Sequence, residues 1–80
     1  MPMKKEYIVV RGLIIPAGWD EKGNVVTISL SSFDEDEYII DKDEMGTQLL
    51  SLLRSKAELS GVLREEKGIK KITVKTYHAI

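Results

Sequence analysis

The stretch LSGVLREEKGIKKITVKTY, residues 59–77, decides the fold because it predicts a β-hairpin directly after an amphipathic segment. Apolar residues stand at alternate positions both before its tip, from Leu59, and after it, at Ile72 and Val74. A period of two is typical of a strand with one buried face. The tip, EEKGIK, predicts a longer hairpin loop in which Gly68 supplies a positive φ angle.

The segment that precedes this hairpin, DEMGTQLLSLLRSK from Asp43 to Lys56, predicts a helix. Its apolar residues recur at helical spacing and form one stripe, so the helix should lie against a sheet and not pass through the core. Acidic residues at its start and basic residues at its end suit the helix macrodipole. Gly46 costs about 1 kcal/mol relative to alanine inside a helix, and a later start, with Thr47 as the N-cap, is therefore an alternative.

Three strands are predicted before the helix, and they are YIVVRGLII (7–15), VVTISLSS (25–32) and a short YIID (38–41). The first should end at Pro16, which cannot continue a hydrogen-bond ladder. The residues from there to position 24, PAGWDEKGN, predict a long loop that contains Trp19.

The second strand alternates most cleanly of the three. Val26, Ile28 and Leu30 should face the core. The opposite positions carry small polar side chains and predict an exposed outer face, made of Thr27, Ser29 and Ser31.

The order of three strands, one helix and two strands suggests a barrel. Two strands carry a central glycine, in VVRGLI (9–14) and LSGVL (59–63), and glycine inside a strand indicates a bulge or a sharp bend. With the helix before the last hairpin, these features make the chain resemble the OB-fold superfamily from about Val9 to Tyr77. The resemblance implies a mainly β fold, a five-stranded Greek-key barrel with one helix between strands 3 and 4. An SH3-like barrel and an open α+β sheet are the alternatives.

Composition sets broad limits on structure and function. The 80 residues are enough for one core, so residues 1–80 are predicted to form a single OB-like domain. The 42% hydrophobic and 31% charged residues are typical of a globular chain. The absence of cysteine excludes disulfides, thiolate metal ligands and thiol chemistry. With no apolar stretch near the ~20 residues of a membrane helix, we expect a soluble, cytoplasmic protein.

The sequence carries no pattern that favours catalysis or a cofactor. His78 is the only histidine, close to the end of what we expect to be a frayed strand, and neither a phosphate-binding glycine loop nor a nucleophile elbow occurs. DKDEMG (41–46) begins like a calcium loop, but Met45 and Leu52 occupy ligand positions and exclude it. The acidic run at 34–37 favours a solvated turn over a loose cation site. We therefore predict no enzyme activity, no cofactor and no metal.

The charge is distributed unevenly along the chain. The net charge of −1 creates no general attraction for nucleic acid. Residues 34–44 hold seven acidic residues and one lysine, whereas residues 62–80 hold five basic and two acidic residues. An anion-binding surface should therefore lie at the basic end, where the tip of the last hairpin carries Lys67, Lys70 and Lys71.

The OB-fold resemblance implies a binding side formed by the first loop, the outer face of the second strand and the last hairpin. Its candidate ligand-binding residues are Trp19, Thr27, Ser29, Ser31, Lys67, Lys70 and Lys71. Trp19 either stacks a base there or covers the barrel end. The remaining aromatic residues, among them Tyr7 and Phe33, should pack in the core or along its edges.

Function is predicted only by class. We expect a small, soluble, non-enzymatic binding module, most of all for protein–protein interaction. The partner would be another protein or a second copy, bound through the Ser/Thr face of the second strand or through an exposed strand edge. The alternative is weak binding of single-stranded nucleic acid through Trp19 and the three lysines, against which the net charge and the missing aromatic platform argue.

Overall fold

The computed structural model describes residues 6–80. Five strands close into a barrel in the order β1-β2-β3-β5-β4. All neighbours are antiparallel except β3 and β5, which are parallel. One helix, α1, lies between β3 and β4, so the predicted mainly β, five-stranded barrel is confirmed. The elements are β1 (Glu6–Trp19), β2 (Val25–Ser32), β3 (Glu37–Ile40), α1 (Glu44–Gln48), a 3-10 helix (Leu49–Leu52), β4 (Lys56–Glu66) and β5 (Ile69–Ala79).

The core is built from the inward side chains of every strand and from the helix. Ile28 and Leu30 of β2 lie inside, as predicted, whereas Val26 is not part of the core and Val25 packs against the core instead. Leu49, which follows α1, is fully buried and connects the helix to the barrel interior. Burying side chains of this size contributes about 1.5–3 kcal/mol each. The buried apolar residues are Ile14, Ile28, Leu30, Ile40, Leu49, Ala57, Leu59, Ile72 and Val74.

The two mid-strand glycines lie where neighbouring strands approach most closely. A Cβ at Gly12 would collide with the backbone carbonyl of Ser31 on β2, and a Cβ at Gly61 with that of Thr73 on β5. Gly12 is also the point at which β1, already paired with β4, begins to pair with β2. The pairing of β4 with β5 shifts register at Gly61. Both glycines therefore permit the bends that close the barrel.

The helix is shorter than the sequence predicted and begins earlier than the alternative start. Asp43 is the N-cap, and its side chain accepts a hydrogen bond of 2.9 Å from the backbone N–H of Gly46. After Gln48 the chain tightens into the 3-10 helix, and Leu53 is already extended, with ψ of 133°. Arg54 then takes a positive φ of 68°. The apolar stripe continues past the helix because those leucines pack against the barrel while the chain turns into β4.

β1 and the last hairpin also differ from the sequence-based expectations. β1 continues through Pro16 to Trp19. The N–H and carbonyl of Ile14 point away from β2, so the nitrogen of Pro16, two residues on, also faces away from the β2 ladder and removes none of its hydrogen bonds. The first loop is therefore residues 20–24 only. The last hairpin turns on two residues, Lys67 (φ 51°) and Gly68 (φ 82°), and two positive φ angles are typical of a tight type I′ turn. His78 belongs to β5, paired with Glu58, so the expected frayed end was wrong.

Candidate functional site

The outer face of β2 is less accessible than the sequence predicted. Ser29 lies between Ile15 of β1 and Ile39 of β3 and is fully buried, with its hydroxyl 3.4 Å from a carboxylate oxygen of Glu37. Thr27 and Ser31 are partly exposed. The prediction of a continuous exposed polar face was therefore wrong at Ser29. The cause is non-local, since larger side chains on both neighbouring strands cover this small residue.

The three lysines of the last hairpin lie near one another, and two of them are engaged by carboxylates. The ammonium group of Lys70 donates a 3.2 Å hydrogen bond to Asp36 and lies 5.7 Å from the ring centre of Tyr38. The hydrogen bond to Asp36 and the charge of that carboxylate raise the pKa of Lys70. Lys71 donates a 3.1 Å hydrogen bond to Glu66, which lowers the pKa of that carboxyl group. Lys67 occupies the turn itself and is exposed.

Trp19 does not cover the barrel end, because 58% of its surface is exposed. It stands opposite Val25 at the start of β2. The last hairpin lies at the other end of the β2–β3 sheet, because β5 runs parallel to β3 and its first residues approach Glu37. Six residues of β2 separate Val25 from Ser31, roughly 20 Å at the usual rise of a strand. The structure therefore does not bring Trp19 and the lysines together.

The acidic segment at 34–37 is a folded turn. The Ser32 hydroxyl accepts hydrogen bonds from the backbone N–H groups of Asp34 (3.3 Å) and Asp36 (3.1 Å). Asp36 also pairs with Lys70. Within residues 6–80, no three His, Asp or Glu side chains are grouped so as to hold a metal ion. These contacts give the acidic residues a local structural role.

A second polar cluster lies on the outer face of β4. Glu58, whose side chain is largely buried, accepts a 2.5 Å hydrogen bond from Nε of Arg11 on β1. Its other carboxylate oxygen lies 3.4 Å from Nε2 of His78 on β5. The cluster thus connects the neighbouring strands β1, β4 and β5. The guanidinium group of Arg11, which also lines a cleft beside β1, is paired with the carboxylate of Glu58.

The first half of β1 borders an open cleft at one end of the barrel. β1 pairs with β4 from Glu6 onward, but its pairing with β2 begins only at Gly12. The edge between these two residues therefore faces a cleft of about 650 Å³. Across the cleft lies the turn after β2, where the N–H of Phe33 donates a 3.2 Å hydrogen bond to the carbonyl of Arg11. The residues that line the cleft are Glu6, Ile8, Val9, Val10, Arg11, Ser32, Phe33, Asp34, Tyr38 and Leu63.

Two apolar side chains that line this cleft are exposed, and so is Tyr7, which lies two residues before Val9 on β1. Tyr7 is 62%, Val9 59% and Phe33 60% exposed. Single exposed apolar residues are normal, but a contiguous group of them marks an interaction surface more often than chance. Of the aromatic residues expected in the core or along its edges, Tyr38 and Tyr77 pack against the core, whereas Tyr7 and Phe33 lie outside it.

Comparison of the chain with protein-family models, with curated proteins and with solved structures finds no match. In the described part of the chain, no helix has the length and apolar character needed to cross a membrane.

Sequence reasoning missed the β1 edge as a particular site, although a signal for it exists. YIVV (7–10) is apolar at four successive positions. Alternating strands have one polar face, so an unbroken apolar run indicates that both faces of the strand carry apolar side chains. Here Ile8 and Val10 pack against the core, whereas Tyr7 and Val9 remain outside.

Proposed function

We propose that this protein is a small, non-enzymatic protein-interaction module, and that it binds an extended segment of a partner protein along the free edge of β1. The observation that carries the proposal is the half-strand of residues 6–11, which pairs with β4 on one edge but not with β2 on the other, beside a cleft with exposed apolar side chains. Adding a strand to an open sheet edge is a common mode of peptide recognition. Main-chain hydrogen bonds then supply affinity, and alternate side chains supply specificity.

The backbone of β1 presents the groups that such a peptide needs. The carbonyl of Arg11 points toward the cleft, because it accepts from Phe33. The N–H and carbonyl of Ile14 point the other way, toward Ser55 and Arg54. In a regular strand these directions alternate by residue, and the β1–β4 register is unbroken from Glu6 to Leu13. The N–H and carbonyl groups of Tyr7 and Val9 are therefore directed into the cleft.

The side chains around this edge match an extended peptide with alternating apolar residues. On its inner side the cleft is floored by apolar residues of the barrel mouth, including Ile8, Val10 and Tyr38. On its outer side stand Val9 and Phe33. A peptide paired with β1 would direct every second side chain to the floor and the others outward. The five residues from Glu6 to Val10 give a ledge about 17 Å long.

The test begins with selection of peptides from a phage-displayed library of random octapeptides on the immobilised protein. Selected peptides should carry apolar residues at alternate positions. Val9→Pro removes the N–H that points into the cleft and should weaken their binding by about tenfold, which corresponds to one or two backbone hydrogen bonds. Val9→Thr keeps both the N–H and the β-branched shape, and is the matched control.

Amide spectra of both variants establish that the barrel is retained. The proposal is contradicted if no peptide is recovered, or if Val9→Pro binds the selected peptides as tightly as Val9→Thr does. It is also contradicted if sedimentation shows a dimer that Val9→Pro abolishes, because a second copy and not a partner segment would then occupy the edge.

We also propose that the chain belongs to the OB-fold superfamily. The support is the strand order, the parallel contact of β3 with β5, and the position of α1 between β3 and β4. An experimental structure with a different strand order would contradict this assignment.

A second candidate function is weak binding of single-stranded nucleic acid, favoured by the exposure of Trp19. Titration of single-stranded DNA or RNA should then quench Trp19 fluorescence, more at low than at high salt, because phosphate contacts release counterions. Lys67→Gln should weaken the effect. Unchanged fluorescence at low salt excludes this function, since electrostatic binding is strongest there.

A further inference from the structure

A small pocket lies at the end of the β2–β3 sheet that is opposite the last hairpin. It is formed between the first half of β2 and the first turn of α1. Its volume is about 170 Å³. For scale, an engineered apolar cavity of about 150 Å³ accepts benzene. The pocket is thus the size of one ring or one leucine side chain. Its principal lining residues are Val25, Thr27, Ile28, Ile40, Thr47 and Leu50.

The walls of this pocket are mostly apolar and come from rigid elements. Ile28 and Ile40 belong to the buried core, and Val25 packs against it. Leu50 is 39% exposed and forms part of the outer wall. A preformed apolar pocket with a few polar groups at its edge is the usual form of a small-molecule site.

Among the described residues that line the pocket, Lys42 is the one that carries a charge. The acidic residues on either side of it are engaged elsewhere. Asp41 accepts hydrogen bonds from Arg64 (2.5 Å) and from the Thr73 hydroxyl. Asp43 caps α1 through the N–H of Gly46. The pocket therefore combines an apolar interior with a single positive charge.

We propose that this pocket binds a small monocarboxylate, with its branched or ring-sized apolar part among Val25, Ile28 and Ile40 and its carboxylate at Lys42. The site is separate from the β1 edge and does not depend on the function proposed for that edge. The same chemistry occurs in a free organic acid and in the C-terminal residue of a peptide chain, and the experiment below distinguishes these two sources.

The probes are 4-methylpentanoate, its uncharged amide 4-methylpentanamide, and N-acetyl-leucine, each followed by amide chemical shifts of the protein. The acid should shift the amides of Thr27, Lys42 and Thr47 at millimolar concentration. The amide should bind about two- to fivefold more weakly, the range expected for one exposed ion pair. Tighter binding of N-acetyl-leucine than of 4-methylpentanoate identifies a chain terminus as the source, and the reverse order identifies a free acid.

Two variants separate the charged and the apolar contributions. Lys42→Gln should make the acid and the amide bind equally, whereas Lys67→Gln, the same change at the far hairpin, should leave their ratio unaltered. Leu50→Ala should weaken both probes together, because it removes part of the apolar wall. Equal binding of acid and amide to the unmodified protein, shifts confined to other residues, or no shifts at all would overturn the proposal.

Discussion

The two halves of β1 each contain an apolar run, YIVV (7–10) and LII (13–15), but have different surroundings. The half from Gly12 to Trp19 pairs with β2, and its Ile14 is fully buried. Among residues 6–80, the half from residue 6 to residue 11 has a strand neighbour on one side only, and its Val9 is 59% exposed. Both apolar runs contain β-branched residues that suit a strand. The difference shows that neighbouring strands, and not residue type, decide which part of β1 contributes to the core and which part stays accessible to a partner.

The largest expected effect on stability comes from a substitution at Gly12, where the two halves of β1 meet. Gly12→Ala should destabilise the protein by about 4 kcal/mol or more, because its Cβ would collide with the backbone of β2 and the barrel would have to open. Gly18→Ala is the matched control, since its Cβ would meet only side-chain atoms, the nearest being those of Thr27 at 3.2 Å. Urea unfolding of both variants measures the difference. Equal destabilisation would show that close approach at Gly12 is not what joins the two halves.

The next largest expected effect on stability distinguishes the two edges of residues 6–11 of β1, one of which pairs with β4 while the other faces the cleft. Val10→Pro should cost about 3 kcal/mol, because proline removes an N–H that bonds to β4. Val9→Pro should cost less than about 1 kcal/mol, because proline is tolerated where the N–H faces away from a neighbouring strand. Thermal unfolding compares the two variants. A larger loss for Val9→Pro would mean that the assignment of the free edge is reversed.

Most of the barrel was predictable from the sequence because apolar and polar residues alternate along its strands. β2 was predicted with its observed bounds, 25–32, since its period-two pattern is local information. The end of β1 was not, because Pro16 is compatible with a strand where its nitrogen faces away from the neighbouring strand, and that depends on how β1 pairs with β2 and β4. The length of α1 was missed for a similar reason. The leucines after it keep a helical spacing although the backbone changes conformation.

The site was less predictable than the fold. The burial of Ser29 depends on Ile15 and Ile39, which lie on other strands and leave no mark in the sequence around it. The separation of Trp19 from the lysines depends on which end of β2 lies next to the start of β5 in the sheet. The free edge of β1 depends on where its pairing with β2 stops. Each of these is a property of pairing between strands, and a single sequence encodes it only indirectly.

A smaller effect on stability is expected when apolar side chains in the two halves are shortened, one of them buried and the other exposed. Ile14→Val should cost about 1 kcal/mol, within the range for losing one buried methylene. Val9→Ala, on the exposed face of the other half, should stay within about 0.5 kcal/mol. Urea midpoints at constant slope provide the measurement. A cost at Val9 equal to that at Ile14 would indicate that something covers the free half in solution.

The smallest effect concerns the turn that follows the second half of β1. Asp20 accepts hydrogen bonds from the backbone N–H groups of Lys22 (2.8 Å) and Asn24 (2.9 Å). These bonds, with the largest contribution from Asn24, lower the pKa of Asp20 below its ordinary value of 3.8. The fold stabilises the ionised form of Asp20. The contribution of this carboxylate to the stability of the protein is therefore complete above pH 3.8 and is lost as the pH falls through the lowered pKa.

A pH titration that follows the amide signals of Asn24 should therefore show a midpoint below 3.8. Asp20→Asn retains an acceptor oxygen but cannot titrate, so this step should disappear from its curve while the turn persists. A midpoint at or above 3.8 would mean that the side chain does not hold the turn in solution.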